Sequence, residues 1–138
     1  MLKLNLGCSD AHRAGYVNVD LVEPADQIAD LSAAWPWPDS SVDEIVAADI
    51  VEHLPDKIHT MNEAHRVLRP GGRFLVIVPT TDGRGAFQDP THVSYWNVNS
   101  FFYFTHGDAH RERFGRAYGI VARFRVLAKR HEKLADEV

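Results

Sequence analysis

The 138-residue chain contains a single cysteine, Cys8, so it cannot form an intrachain disulfide or a multi-cysteine metal centre. That excludes a disulfide-stapled secreted scaffold and makes the reducing cytoplasm the expected compartment. No run of about 18 apolar residues occurs, and the opening Met1-Leu2-Lys3-Leu4-Asn5-Leu6-Gly7 lacks the apolar centre of a secretory leader. No membrane partner is expected. Internal repeats and low-complexity tracts are also missing, which excludes solenoids and long linkers. Nor is there an excess of positive charge. Nineteen acids against fifteen bases leave a formal charge of −4, which argues against broad, charge-driven binding to nucleic acid.

What is present suits one ordinary domain over residues 1–138, with 45% hydrophobic and 25% charged residues. A chain of this length hides roughly 68% of the surface it exposes when unfolded, enough for a core without a covalent staple.

Leu2 to Leu6 alternates apolar and polar residues and stops at Gly7, which predicts a first strand running into a turn. Tyr16–Asp20 and Gln27–Leu31 are the next β-prone runs, followed by the loop Trp35-Pro36-Trp37-Pro38-Asp39. Val42 to Ala48, continuing into Asp49–Leu54, is nearly unbroken in apolar residues, as a buried parallel strand is. The spacing of Ile58, Met61, His65 and Leu68 predicts a helix over 56–69, ended by Pro70-Gly71-Gly72. Arg73–Pro79 reads as a deep strand. Thr80 to Asn99 forms a candidate binding loop, and Ser100 or Asn99 can cap a short helix bearing Phe101, Phe102 and Phe104, closed by Gly107. Those three rings read as core. Ile120 to Lys129 alternates cleanly and predicts a half-exposed antiparallel edge strand. Strands alternating with crossovers imply an α/β fold, an open and mostly parallel sheet with helices on both faces. Such sheets bind ligands at the carboxyl ends of their strands.

Two residues at those ends carry chemistry. Gly7 lets the backbone turn tightly after the first strand, although Ser9 and Ala11 stand where a full dinucleotide fingerprint would have glycines. Asp20, closing the second strand, can accept both hydroxyls of a ribose. It follows Gly7 by 13 residues, fewer than the roughly 20 of nicotinamide sites, so a helix between these strands should be vestigial or absent.

Further runs extend the pattern: Leu4-Asn5-Leu6-Gly7-Cys8, Gly15-Tyr16-Val17-Asn18-Val19-Asp20, Ala29-Asp30-Leu31, Trp37-Pro38-Asp39-Ser40-Ser41-Val42-Asp43, Glu52-His53-Leu54 and Arg66-Val67-Leu68-Arg69-Pro70-Gly71-Gly72. In this order they resemble class I S-adenosylmethionine-dependent methyltransferases with a Rossmann-like fold, particularly the small members labelled type 11. The likeness spans residues 2–79 and, more loosely, Asp89–Trp96. It implies that Gly7, Cys8 and Ser9 lie against the methionine portion of the cofactor. Asp20 with Leu21 would hold the ribose, Asp30 and Leu31 would meet the adenine, and Asp49 would flank the cofactor near its methyl group. Asn5 and Ser9 depart from the family's usual acid and glycine, which implies modest affinity. The family's sheet ends in a two-stranded hairpin. Only one such strand is visible here, so an exposed sheet edge is expected, through which a homodimer could form.

The resemblance implies methyl transfer to a small or medium-sized acceptor. An acceptor hydroxyl or amine must lose a proton, for which His92 is the favoured base and His53 the other candidate. Asp89, Tyr95 and Trp96 are the candidate substrate contacts. Two other readings stand beside this one. A cofactor-binding partner subunit without catalysis would suit the substituted glycine turn. A hydrolytic metal site on His53, Asp89 and His92 has suitable ligands but no known motif spacing, so no metal is expected. The row Arg111, Arg113, Arg116, Arg123, Arg125, Lys129 and Arg130 is expected to form a solvated face.

Overall fold

The computed structural model describes residues 1–132, so the last six positions of the expected 1–138 domain lie outside the described residues. Strands β1 (Lys3–Leu6), β2 (Val17–Asp20), β3 (Gln27–Ile28), β4 (Val42–Ala48) and β5 (Leu68–Ile77) form one sheet in the order β3-β2-β1-β4-β5. Every pairing is parallel. This is a Rossmann-like α/β sheet, and parallel pairing brings the carboxyl ends of all five strands to one edge.

Register decides which face is core. Leu4 lies beside Val17 and Ile45, and Leu6 beside Val19 and Ala47; Phe74 continues the row from Ile45. Because strand side chains alternate, these residues share one face, and the core forms there with Trp35, Trp37, Met61, Ala64, Trp96 and Phe104. The other face is polar toward its middle. Asn5 Nδ2 donates to Asn18 Oδ1 at 2.9 Å and to Ala11 O at 2.9 Å, and Lys3 pairs with Glu44 at 3.6 Å. Over β1 and β2 this face is covered by the turns of residues 8–16, not by a helix, as the short spacing to Asp20 requires.

Helix α1 (Lys57–Val67) starts at Asp56, whose side chain accepts the His59 N–H at 3.0 Å. Its buried residues are Thr60, Met61, Ala64 and Val67. The stripe is therefore rotated from the expected Ile58, Met61, His65 and Leu68. The reason lies at its end: Leu68 has already left the helix to pair with Val42, and the chain bulges through Pro70-Gly71-Gly72 before regaining register at Arg73. Strand β5 thus begins five residues before the expected start.

Beyond β5 the chain makes a short turn of helix α2 (Gly85–Gln88), a 3-10 helix over Val98–Phe104, and α3 (Ala109–Tyr118). The 3-10 helix is capped by Asn97 rather than Asn99 or Ser100; Ser100 returns the bond to the Asn97 N–H at 2.9 Å. It ends at Thr105, before Gly107.

The expected strand Ile120–Lys129 does not form. Its alternation is real, since Ile120 and Ala122 are buried in the core. Its backbone groups, however, are claimed by side chains. Asn62 Oδ1 accepts from Val121 N at 2.9 Å and Ala122 N at 3.0 Å, while Arg111 donates to Ala122 O at 3.1 Å and Ile120 O at 3.2 Å. One isolated parallel bridge, Thr105 to Phe124, remains. Arg111 is accordingly buried and departs from the expected solvated row.

Candidate functional site

The sheet's carboxyl edge gathers the expected cofactor residues. Gly7 turns there with φ +66°, a conformation that disfavours any side chain, and a Cβ at this position would come within 2.6 Å of Ile50. Ser9 at φ 44° and Asp49 at φ 53° are non-glycine residues held left-handed at the same edge. Strain of this kind gathers where a fold positions a ligand.

Asp20 faces the Gly7 turn. Its Oδ2 accepts the Ser9 N–H at 2.8 Å and its Oδ1 accepts the Leu21 N–H at 2.7 Å. A carboxylate offers about four lone-pair positions, so two remain for a sugar diol. That residual capacity fits the ribose of an adenosyl group. Leu21, beside it, is exposed. Cys8 is buried, and burial pushes its thiol up, with Asp20 adding to the effect. Asp30 is exposed and bonded to Ser32 N and Oγ, which holds its carboxyl below the usual range. Leu31 is in the core, with its carbonyl bonded to Trp35 Nε1 at 3.0 Å.

A second group assembles after β4. The 3-10 turn Val51–His53 is docked onto residues 93–94: the Glu52 carbonyl accepts from Val93 N at 2.8 Å and Ser94 N at 3.1 Å, and Ser94 Oγ donates to Val51 O at 3.0 Å. This brings His53 against His92, their rings edge-to-face at 4.8 Å. Between them lies Glu52, 2% exposed, with Oε1 3.6 Å from His53 Nε2 and 4.0 Å from His92 Nε2. Its Oε2 is buried without a hydrogen-bond partner, and burial pushes its pKa up. Asp89 approaches from the loop, Oδ2 3.6 Å from His92 Nε2, while its Oδ1 is held by Thr91 N and Oγ1. Those bonds from Thr91 hold the Asp89 carboxyl below its ordinary value.

Residues 6–76 match the methyltransferase-domain family. The chain belongs to that family. A probable S-adenosylmethionine-dependent methyltransferase of Mycolicibacterium smegmatis is 39% identical over 90 residues, covering 62% of this chain and 33% of the relative. The ubiquinone/menaquinone biosynthesis C-methyltransferase of Pseudoalteromonas translucida is 31% identical over 102 residues, 73% of this chain and 35% of its own. The chain thus spans about a third of the length of these curated relatives. Among solved structures, a SAM-dependent methyltransferase from Archaeoglobus fulgidus superposes with a TM-score of 0.58 at 16% identity, over 72% of this chain and 56% of that one. At that identity the likeness is one of fold.

In this methyltransferase domain the expected site residues separate into two groups. Gly7, Cys8, Ser9, Asp20, Leu21 and Asp49 stand just past or at the carboxyl ends of the adjacent strands β1, β2 and β4, with Asp30 beyond β3. His53, His92 and Asp89 form the neighbouring group. Tyr95 is exposed and stacks on Phe87 at 5.1 Å. Trp96 is fully buried in the core, bonded to Ser94 Oγ at 3.0 Å, which removes it from any surface a substrate meets. Glu52 was not anticipated as a site residue. Its signal was available: a lone acid inside the apolar run Ile50-Val51-Glu52-His53-Leu54. No helix of the described residues is long and apolar enough to cross a membrane.

Proposed function

We propose that this domain transfers a methyl group from S-adenosylmethionine to a small or medium-sized acceptor in the cytoplasm. The observation that carries this reading is the Asp20 carboxylate, fixed across from the Gly7 turn by the Ser9 N–H and retaining free acceptor capacity. Asp20 and Leu21 hold the ribose, Gly7 to Ser9 the amino-acid portion, Asp30 the adenine side, and Asp49 the end nearest the reacting methyl. When bound, the cofactor supplies an electrophilic methyl on a sulfonium, so the protein's work is chiefly alignment. The acceptor's proton falls to the imidazoles at the edge of β4, His92 foremost, with His53 beside it; Asp89 and Tyr95 line the approach. The C-terminal edge strand β5 leaves Leu75 and Ile77 half exposed at 49% and 47%, which supports pairing of two copies along this edge.

Calorimetry with S-adenosylhomocysteine tests the assignment. A hydrogen bond to a charged group is worth about 1.5–3 kcal/mol, so Asp20→Ala should weaken binding by roughly 10- to 150-fold. Unchanged affinity would discard the ribose assignment. Binding that persists while no acceptor is ever methylated would favour a partner subunit without catalysis.

A further inference from the structure

We infer that Glu52, His53 and His92 form a binding site for a divalent first-row transition ion, with Asp89 as a fourth donor. The argument starts from the tautomers. His53 Nδ1 faces the Thr91 carbonyl at 3.2 Å and Thr91 Oγ1 at 3.1 Å, and that hydroxyl already spends its proton on Asp89 Oδ1 at 2.7 Å. Both neighbours can only accept, so His53 carries its proton on Nδ1. His92 Nδ1 faces the Ala86 carbonyl at 3.0 Å, and the same logic puts its proton there. With its proton on Nδ1, each ring in its neutral form turns an Nε2 lone pair toward Glu52 Oε1, and His92 Nε2 also faces Asp89 Oδ2.

Lone pairs converging on carboxylate oxygens repel unless a cation lies among them. A proton serves poorly, because separations of 3.6 and 4.0 Å are too long for a hydrogen bond and Glu52 Oε2 has no partner at all. A metal ion fits better. The three ligand atoms lie within 4.8 Å of one another, and zinc–ligand lengths of about 2.0–2.2 Å ask each to close by only about half an ångström. Nδ1–H bonded to a carbonyl while Nε2 is presented is the outer-shell pattern of ligating histidines. Two imidazoles and a carboxylate are donors suited to zinc, iron(II), cobalt(II) or manganese(II), and with Asp89 the two carboxylates balance the ion's charge. His53 and Asp89 are partly exposed, so positions on the ion stay open on that side. This inference rests on the cluster's geometry and stands apart from the cofactor assignment, although both sites share one sheet edge; an ion bound there takes up the Nε2 lone pairs and so excludes the base role of His92 and His53 for as long as it is held.

Dialysed wild-type protein titrated with cobalt(II), followed by calorimetry and visible absorption, should bind one ion per chain. His53→Ala and Glu52→Gln should each weaken binding by at least about 10- to 100-fold, whereas His12→Ala, away from the cluster, should not. In ¹⁵N-labelled wild-type protein, imidazole spectra should show the Nδ1–H tautomer for His53 and His92, and zinc(II) should shift the Nε2 signals of these two rings alone. Absence of stoichiometric binding, wild-type affinity in His53→Ala, or unmoved Nε2 signals overturns the site. S-adenosylhomocysteine binding on the same samples keeps the two readings apart. Its loss with cobalt binding intact removes the cofactor assignment only, and the reverse removes the metal site only.

Discussion

Gly7 shows how much one position can decide. Any L-residue there would sit at φ +66°, which costs about 1–2 kcal/mol, and its Cβ would overlap Ile50 at 2.6 Å. Gly7→Ala should therefore lower the unfolding free energy in urea titrations by at least about 1–2 kcal/mol. Adding Ile50→Ala should recover only a small part, because the Cβ of residue 50, the nearest atom at 2.6 Å, and the backbone term both remain. Full recovery in the double variant would mean that the turn tolerates a side chain. Asp20 is the other decisive residue. It does two tasks with one carboxylate, closing the turn through Ser9 and leaving lone pairs outward, so its replacement should loosen the turn as well as weaken nucleoside binding. Glu52 illustrates what sequence alone hides. An acid in an apolar run can be read as odd, but that its oxygens would meet two imidazole lone pairs depends on the docking of residues 93–94, forty positions downstream.

At the scale of elements, α1 does more than cover the sheet. Arg66 on its last turn bonds Glu63 at 2.8 Å, Asp39 at 2.8 Å, and the carbonyls of Trp37 and Trp35 at 3.0 Å, while Glu63 accepts the Trp35 N–H at 2.7 Å. The helix thereby fixes the loop that inserts Trp35 and Trp37 into the core. The Arg66 hydrogen bond is the main reason the Glu63 carboxyl titrates below its ordinary 4.5. A depressed carboxylate stabilises the fold above its unfolded pKa and ceases to do so as pH falls through its folded one. Urea titrations should thus show wild-type protein losing about 1–2 kcal/mol more than Glu63→Gln between pH 7 and pH 3. Equal losses would show that the network contributes nothing. Helix α3 marks a limit of pattern reading. Its cap Asp108 and its terminator Gly119, left-handed at φ 74°, stand in the sequence. Its buried residues, though, are Arg111 and Gly115, so no apolar stripe announces it. Arg111 and Asn62 then take the backbone bonds that a strand at Ile120 would have needed, and an alternating segment becomes a strapped coil.

On the scale of the whole molecule, the sheet is asymmetric. One face is a continuous apolar core, and the other is polar at its centre and half exposed along β5. Among the described residues β5 is an edge strand whose outer side pairs with no other strand, beside the exposed Leu75 and Ile77, the combination that favours strand addition. Sedimentation velocity should reveal a concentration-dependent dimer that Ile77→Lys shifts toward monomer by about tenfold in its dissociation constant, a change of roughly 1.4 kcal/mol. A wild-type monomer at all concentrations would refute the pairing. Asp20 and Asp49 put carboxylates at the carboxyl ends of β2 and β4, with Asp30 just beyond β3, so the proposed cofactor edge is acidic.

The sequence by itself determined that five strands form, though not all their bounds, and that they run parallel with their carboxyl ends on one edge. Apolar runs of strand length, separated by turns and one helical period, have few other ways to bury themselves, and parallel strands must end together. The missing helix before β2 was legible too, since a step of only 13 positions from Gly7 to Asp20 leaves room for a vestigial helix at most. Tertiary structure decided what periodicity cannot encode: that Val121 to Phe124 is strapped beside α1 rather than paired in the sheet, that Trp96 is core rather than pocket, and that Glu52, His53 and His92 converge. Each of these depends on contacts between residues far apart in the chain, where a hydrogen-bonding side chain or a docked loop outweighs the weak local preference of the backbone.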